Sequence, residues 1–270
     1  RPRSSEFWQS RLNMGVWMLV GFVALSLYVL TLVRRMFDAL ARAEAANQAK
    51  RRFISVVSHE MRTPLQAIVG FTESLQTLDL SATRRKEALA RIDSAATHIL
   101  SLVEDTLDIA RIEAGALHVN PEAVPLATVV DEVVSLLAPL AAQRDASIDQ
   151  RVSASSSVSA DRVRLRQVLI NVVGNAIRYG GSAVHIVIDA TDGPGHVALL
   201  VSDNGPGIND EMMQRLFVPF ERLGAKGNLD GGAGLGMMLA RNLVDLMGGT
   251  LTVSSTVGSG TTVSVALPHA

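Results

Sequence analysis

Four short runs of this 270-residue chain hold side chains that can do chemistry. The first is His59-Glu60-Met61-Arg62-Thr63-Pro64-Leu65. Around it the apolar residues Ile54, Val57, Met61, Pro64/Leu65, Ile68, Phe71, Leu75 and Leu78 recur in steps of three and four. That period lays a seam along one face of a helix and leaves His59 at an outer position, where a second molecule or domain can reach its imidazole. Glu60 adjoins it, Thr63 follows one turn beyond Glu60, and Pro64 breaks the hydrogen-bond ladder, which predicts a bend. The second run is Asn171-Val172-Val173-Gly174-Asn175 with Arg178 and Tyr179 after it. Two asparagines one turn apart on an apolar helix call for partners. These are either loop groups or a hard cation such as Mg2+, for which an amide oxygen is a suitable ligand. Arg178 can put positive charge near a phosphate, and Tyr179 offers a flat face to a base.

The third run, Asp203-Asn204-Gly205-Pro206-Gly207-Ile208, ends an apolar strand. By itself it is a good turn. A carboxylate there can also accept a hydrogen bond from the amino group of adenine, with Gly205 and Gly207 letting backbone approach a flat ring. The fourth is Gly231-Gly232-Ala233-Gly234-Leu235-Gly236, just ahead of a helix, where backbone amides make an anion site. No Gly-Lys-Ser/Thr follows and no βαβ unit encloses the glycines, so it is neither a Walker loop nor a Rossmann fingerprint.

The elements that must hold these runs can be read from periodicity. Ser81-Ala82-Thr83 is a turn and cap. It leads into a second helix with Leu89, Ile92, Ala96, Ile99, Val103, Thr106 and Ala110 on its seam, stopped by Gly115. Two such helices leave apolar surface that an identical hairpin would cover, which predicts a homodimeric four-helix bundle. Beyond Leu117 helices are expected at Leu126–Gln143, Asp161–Arg178 and Leu235–Met247, and strands at Ala183–Ala190, His196–Asp203, Thr250–Ser255 and Thr261–Leu267. Ser153–Ser159, small and polar, reads as a loop. Without strict βαβ alternation this predicts an α+β fold, helices on one face of a mixed sheet.

Met14–Val33 carries no charge, and at about 1.5 Å per residue it can cross a hydrocarbon core of about 30 Å. Trp17 and Tyr28 lie near its ends, as interfacial anchors do. Arg34, Arg35, Arg42, Lys50, Arg51 and Arg52 outweigh Arg1, Arg3 and Arg11, which places the C-terminal side in the cytoplasm. Arg34–Lys50 has no Gly or Pro, so the helix should continue, setting His59 on the order of 40 Å from Val33. Opening on Arg1, the chain reads as a piece of something longer or a processed product. Lys+Arg 25 against Asp+Glu 26 argues against a nucleic-acid partner. The absence of cysteine excludes disulfides and zinc-thiolate sites. His98, His118, His185 and His196 show no ligand spacing and read as ordinary residues.

Taken in order, these runs resemble sensor histidine kinases over about Arg51 to Pro268. His59-Glu60-x-Arg62-Thr63-Pro64-Leu65 is similar to the family's phospho-acceptor box. Asn175, Asp203-x-Gly205-x-Gly207, Phe217-Val218-Pro219-Phe220 and Gly232-x-Gly234-x-Gly236 are similar to its N, first glycine, phenylalanine and second glycine boxes. Arg178, Tyr179 and Ala233 stand where lysine, phenylalanine and threonine are common. The resemblance implies a tail (1–13), a transmembrane helix (14–33), a signalling helix (34–52), a dimerisation and phospho-acceptor hairpin (53–115) and an ATP-binding α/β sandwich of the Bergerat type (116–268).

It further implies His59 as acceptor, Glu60 as proton acceptor, and Thr63 orienting water for a phosphatase reaction. ATP would be bound by Asn171, Asn175, Arg178, Tyr179, Asp203, Gly205, Gly207, Phe217, Phe220, Gly232, Gly234, Leu235 and Gly236, with Mg2+ on Asn175 and Gly207–Gly234 as a lid. The implied partner is a response-regulator receiver domain, and the location the bacterial inner membrane. Two rival readings stand beside it. A clamp ATPase of the gyrase or Hsp90 kind would place a catalytic glutamate near the first asparagine, where Ile170 stands here. A scaffold would use the hairpin for dimerisation alone.

Overall fold

Apolar periodicity becomes burial in a computed structural model that describes residues 3–221 and 234–270. The first helix, α1 (Arg3–Thr77), includes both Met14–Val33 and the His59 run, and it continues as helix through Pro64. The chain divides into two units, Arg1–Val56 and Val57–Ala270. In the first, every described side chain between Met14 and Val33 is exposed, Trp17, Phe22, Leu25 and Tyr28 included.

In the second unit, Leu78–Ser81 turns the chain into α2 (Ala82–Glu113). Ser81 caps it, its hydroxyl oxygen accepting the Arg84 N–H at 3.4 Å. The Gly115 left-handed conformation (φ 65°) ends it, with the Ala116 N–H returning to the Arg111 carbonyl at 2.8 Å. Within one copy of the chain α2 buries residues other than the seam that a second hairpin was expected to cover. Leu89, Ala96 and Ala110 are exposed, whereas Ala88, Leu102, Asp108 and Ile109 are buried. The lower part of that buried face is turned toward the domain that follows, because α2 packs on α6 (Gly236–Leu246).

That domain is a sheet with helices on one side. Strands β2 (Ser147–Gln150), β4 (His185–Gly193), β5 (His196–Asp203), β6 (Thr250–Thr256) and β7 (Gly260–Pro268) lie in the order β2-β4-β5-β7-β6. The β2–β4 pair is parallel and the others antiparallel. Alternation along β5 buries Val197, Leu199 and Val201, and Val263, Val265 and Leu267 of β7 do the same. Onto that face pack α3 (Leu126–Gln143), α4 (Arg162–Tyr179) and α6, through Leu126, Val130, Leu165, Leu169, Ile177, Leu239 and Leu243.

Among the described residues α3 is long and apolar enough to cross a membrane, but Leu126, Val129, Val130, Val133, Leu137 and Ala141 are buried, so its apolarity is that of a core helix. Its Pro125 boundary and the Asp161 cap of α4 follow local rules. Asp161 accepts the N–H groups of Val163 at 3.0 Å and Arg164 at 3.1 Å.

One sequence expectation is corrected. Ser153–Ser159 is not all loop, for β3 (Ser157–Ala160) pairs antiparallel with β1 (Glu122–Pro125) in a second, two-stranded sheet. The run Ser-Val-Ser-Ala alternates outward hydroxyls with the buried Val158 and Ala160, and its small polar composition hides that period of two. β1, β2 and a short helix α5 (Asp210–Arg215) were not expected from the sequence.

Candidate active site

His59 stands on the outer face of α1 with its side chain 72% exposed, as the seam required. Its Nδ1 lies 3.7 Å from Oε1 of Glu60, whose side chain is mostly covered. The Thr63 hydroxyl, one turn on, donates a long hydrogen bond of 3.5 Å to the His59 carbonyl. The exposed imidazole and hydroxyl thus share one turn of helix with a carboxylate that is mostly covered.

The catalytic-looking residues of the second domain gather around a cavity of about 650 Å³. From α4 come Asn171, Asn175, Arg178 and Tyr179, with the buried Val172 and Ala176 between them in the same wall. The N-cap at Asp161 and the apolar underside fix that rotation. Asp203 reaches the cavity from the end of β5. One of its oxygens accepts the Gly205 N–H at 2.9 Å. Burial raises the Asp203 carboxyl above its ordinary range, while the backbone N–H groups of Gly205 and Thr261 pull the other way.

The Asp203–Ile208 turn is braced from β6 and β7. The Ile208 N–H donates to the Ser255 hydroxyl at 2.8 Å, that hydroxyl donates to the Gly260 carbonyl at 2.9 Å, and the Gly258 N–H donates to the Pro206 carbonyl at 2.8 Å. Gly207 has φ 71°, and a Cβ there would lie 2.2 Å from the Thr256 carbonyl oxygen, so the brace excludes any side chain. At Gly236, the first residue of α6, a Cβ would meet Asn171 Oδ1 at 2.7 Å. Bare backbone at this helix start is what lets it lie against the asparagine face.

Gly207, Gly234 and Gly236 line the cavity. Gly205 is buried against Gly180, and Leu235 is fully buried, so neither lines it. Phe217 and Phe220 also stand outside the lining. Phe217 lies under the Arg241 guanidinium, 4.8 Å from the ring centroid, and the Phe220 N–H donates to the Gly234 carbonyl at 3.0 Å. Gly232 is outside the described residues. Mg2+ takes hard oxygen donors, and the half-buried Asn175 amide in this cavity fits that demand.

The remaining wall comes from the hairpin. Ser94, Thr97, His98, Ser101, Leu102 and Asp105 of α2 face the same cavity. Burial, then the charges of Asp108 and Glu104, push the Asp105 carboxyl up to about 6. One turn further along α2, Asp108 is buried, and one of its oxygens accepts hydrogen bonds from Arg164 Nη1 and Gln167 Nε2 of α4, each at 2.9 Å. Sequence reading missed Asp105, Asp108, Arg164 and Gln167. Their partnership spans 56 and 59 residues, and nothing local signals it.

The model of the His Kinase A (phospho-acceptor) domain matches residues 49–115. That of the histidine kinase-, DNA gyrase B- and HSP90-like ATPase matches residues 160–270. The virulence sensor protein BvgS of Bordetella bronchiseptica is 40% identical over 245 residues, 87% of this chain and 20% of that one. The chain spans between a fifth and under half of the length of the curated relatives it matches. Full-length ShkA, solved in complex with AMPPNP, is 31% identical with a TM-score of 0.60, over 82% of this chain and 46% of that one. The histidine kinase ThkA, solved in complex with the response regulator protein TrrA, shares the fold at 24% identity and a TM-score of 0.60, over 85% of this chain and 66% of that one.

Proposed function

Because this chain belongs to the sensor histidine kinases, we propose that it phosphorylates itself on His59 with ATP and hands the phosphoryl group to an aspartate of a response-regulator receiver domain. One observation carries the reading. A single folded unit holds an exposed imidazole beside a carboxylate, together with a cavity walled by Asn171, Asn175, Arg178 and Asp203.

In the proposed reaction Nε2 of the neutral imidazole attacks the γ-phosphorus. The N–P bond forms as the bond from phosphorus to the bridging oxygen breaks, and ADP leaves. The Nδ1 proton passes to Glu60, which already faces that nitrogen. Asp203 holds the adenine amino group, Tyr179 offers its ring to the base, and Arg178 with the backbone at Gly234–Gly236 steadies the phosphates. Mg2+ held at Asn175, with Asn171 beside it, would neutralise charge on the phosphate oxygens. Thr63, exposed one turn past Glu60, would orient a water to remove the phosphate from the receiver aspartate, which adds a phosphatase activity.

The exposed apolar side chains Leu65, Val69, Leu78, Leu89, Leu100 and Leu107 supply a face for the hairpin of a second copy, supporting a homodimer. The exposed apolar stretch Met14–Val33 supports a single membrane span, with the kinase region on the cytoplasmic side of a bacterial inner membrane. ShkA holding AMPPNP and ThkA holding a response regulator are the precedents for nucleotide and partner.

Incubation with γ-labelled ATP tests the central claim. Acid-labile, base-stable label should appear on the wild-type chain and vanish in His59→Gln. Phosphate released without labelled protein would make the chain a clamp ATPase instead, and neither product would leave the scaffold reading.

A further inference from the structure

Among the described residues, Asp108 is the one charged or polar side chain that is buried. It belongs to the hairpin, yet both its partners, Arg164 and Gln167, belong to α4 of the nucleotide domain. A buried carboxylate is retained only where its partners are well placed, since either partner's loss leaves a costly unpaired charge. The contact therefore fixes one position of the domain along α2.

That position has a definite height on the hairpin. His59 stands eighteen residues before the end of α1 at Thr77, and eighteen residues past the start of α2 at Ala82 is Leu100. In a hairpin with a short turn, residues equally far from the turn lie side by side. The α2 residues that wall the cavity, from Ser94 to Asp105, bracket Leu100 on both sides. Gly236 and Asn175 are in the same cavity wall, and α6, which begins at Gly236, packs on α2. With the domain docked through Asp108, the cavity lies against the stretch of α2 that is level with His59.

We infer that Asp108, through Arg164 and Gln167, is a positioning residue for phosphoryl transfer: it sets the height of the nucleotide domain on the hairpin so that the cavity faces the level of the acceptor histidine. The inference rests on the proposed autophosphorylation. Sliding the domain by one helical turn would move the phosphates about 5.4 Å from that level, and misplacement by far less can cost about a hundredfold in rate.

The experiment uses the full chain and measures ATP affinity and the rate of His59 labelling at saturating ATP separately. Asp108→Asn and Arg164→Met should each lower the labelling rate by about ten- to a hundredfold while leaving the ATP dissociation constant within about twofold. The exchanged pair, Asp108→Arg with Arg164→Asp, should regain most of the rate. Because an exchange in a buried place can fail to fold, Gln167→Ala provides a second measure. It keeps the ion pair and should lose rate by less than either single change. A labelling rate within about twofold of wild type for Asp108→Asn, or above it, overturns the inference, as does a loss of affinity that accounts for the whole loss of rate. No label on the wild-type chain would instead defeat the autophosphorylation reading itself.

Discussion

Replacing Asp105 with asparagine should make the protein more stable at neutral pH, and the gain should disappear in acid. Asp105 is held at the wall between α2 and the nucleotide cavity. Burial is the main reason its carboxyl rises to about 6, and the charges of Asp108 and Glu104 add to it. His98, Arg144, Arg178, Asp203 and Glu221 face the same cavity from the surrounding elements, and Arg164 is engaged by Asp108. From the ordinary carboxylate value of 3.8, such a rise corresponds to about 3 kcal/mol between the two protonation states. Because solvent reaches part of the side chain, about 1 to 2 kcal/mol is the expected effect.

The sign follows from proton counting. Between about pH 4 and pH 6 the unfolded chain has lost this proton while the folded chain keeps it. Stability from this group therefore falls as pH rises through that window and stays low above it. Asparagine carries no charge and escapes the penalty. Urea unfolding of wild type and Asp105→Asn, at steps from pH 4 to pH 8, should show curves that meet near pH 4 and part by about 1 to 2 kcal/mol above pH 6. A difference of the same size at every pH, or none at pH 8, would refute the burial argument.

Other expectations follow from single contacts. A Cβ at Gly260 would lie 1.9 Å from the Asp203 carbonyl oxygen, at φ 107°. Gly260→Ala should therefore cost about 3 kcal/mol or more, seen as a lowered melting temperature together with weakened ATP binding. Asp203→Asn should weaken ATP at least about tenfold, through loss of a charge-assisted hydrogen bond. The same change should barely affect inosine triphosphate, whose base lacks the amino group, and isothermal titration with both nucleotides checks this. Ser255→Ala removes the hydroxyl that receives the Ile208 N–H and braces Gly260. It should destabilise by about 1 kcal/mol and raise the KM for ATP while leaving the labelling rate at saturation unchanged.

The parts legible in the sequence are those whose cause is local. The strand His196–Asp203 and the helix Leu126–Gln143 fall where apolar alternation and helical period put them. The outward position of His59 follows from the seam on its own helix. Asn171 and Asn175, one turn apart on α4, reach the cavity together because that spacing puts them on one face. What stayed hidden depends on distant partners. β3 exists because Ser157–Ala160 meets Glu122–Pro125, and four residues of serine, valine and alanine carry too little pattern to announce it. The second face of α2 stayed hidden too, the one that meets the next domain, where Leu102 lines the cavity and Asp108 bonds to α4. Phe217 shows the reverse case. Its run was legible as a motif, yet its ring is placed under Arg241 rather than in the cavity.

The ion pair that joins hairpin and nucleotide domain has its charged groups on the two facing surfaces, and neither lies inside a hydrophobic core. If the surfaces part, water can solvate Asp108 on one side and Arg164 on the other, while the buried Leu102 in the cavity wall is uncovered with them. Charged partners that water can take over make such a parting less costly than opening a purely apolar interface would be.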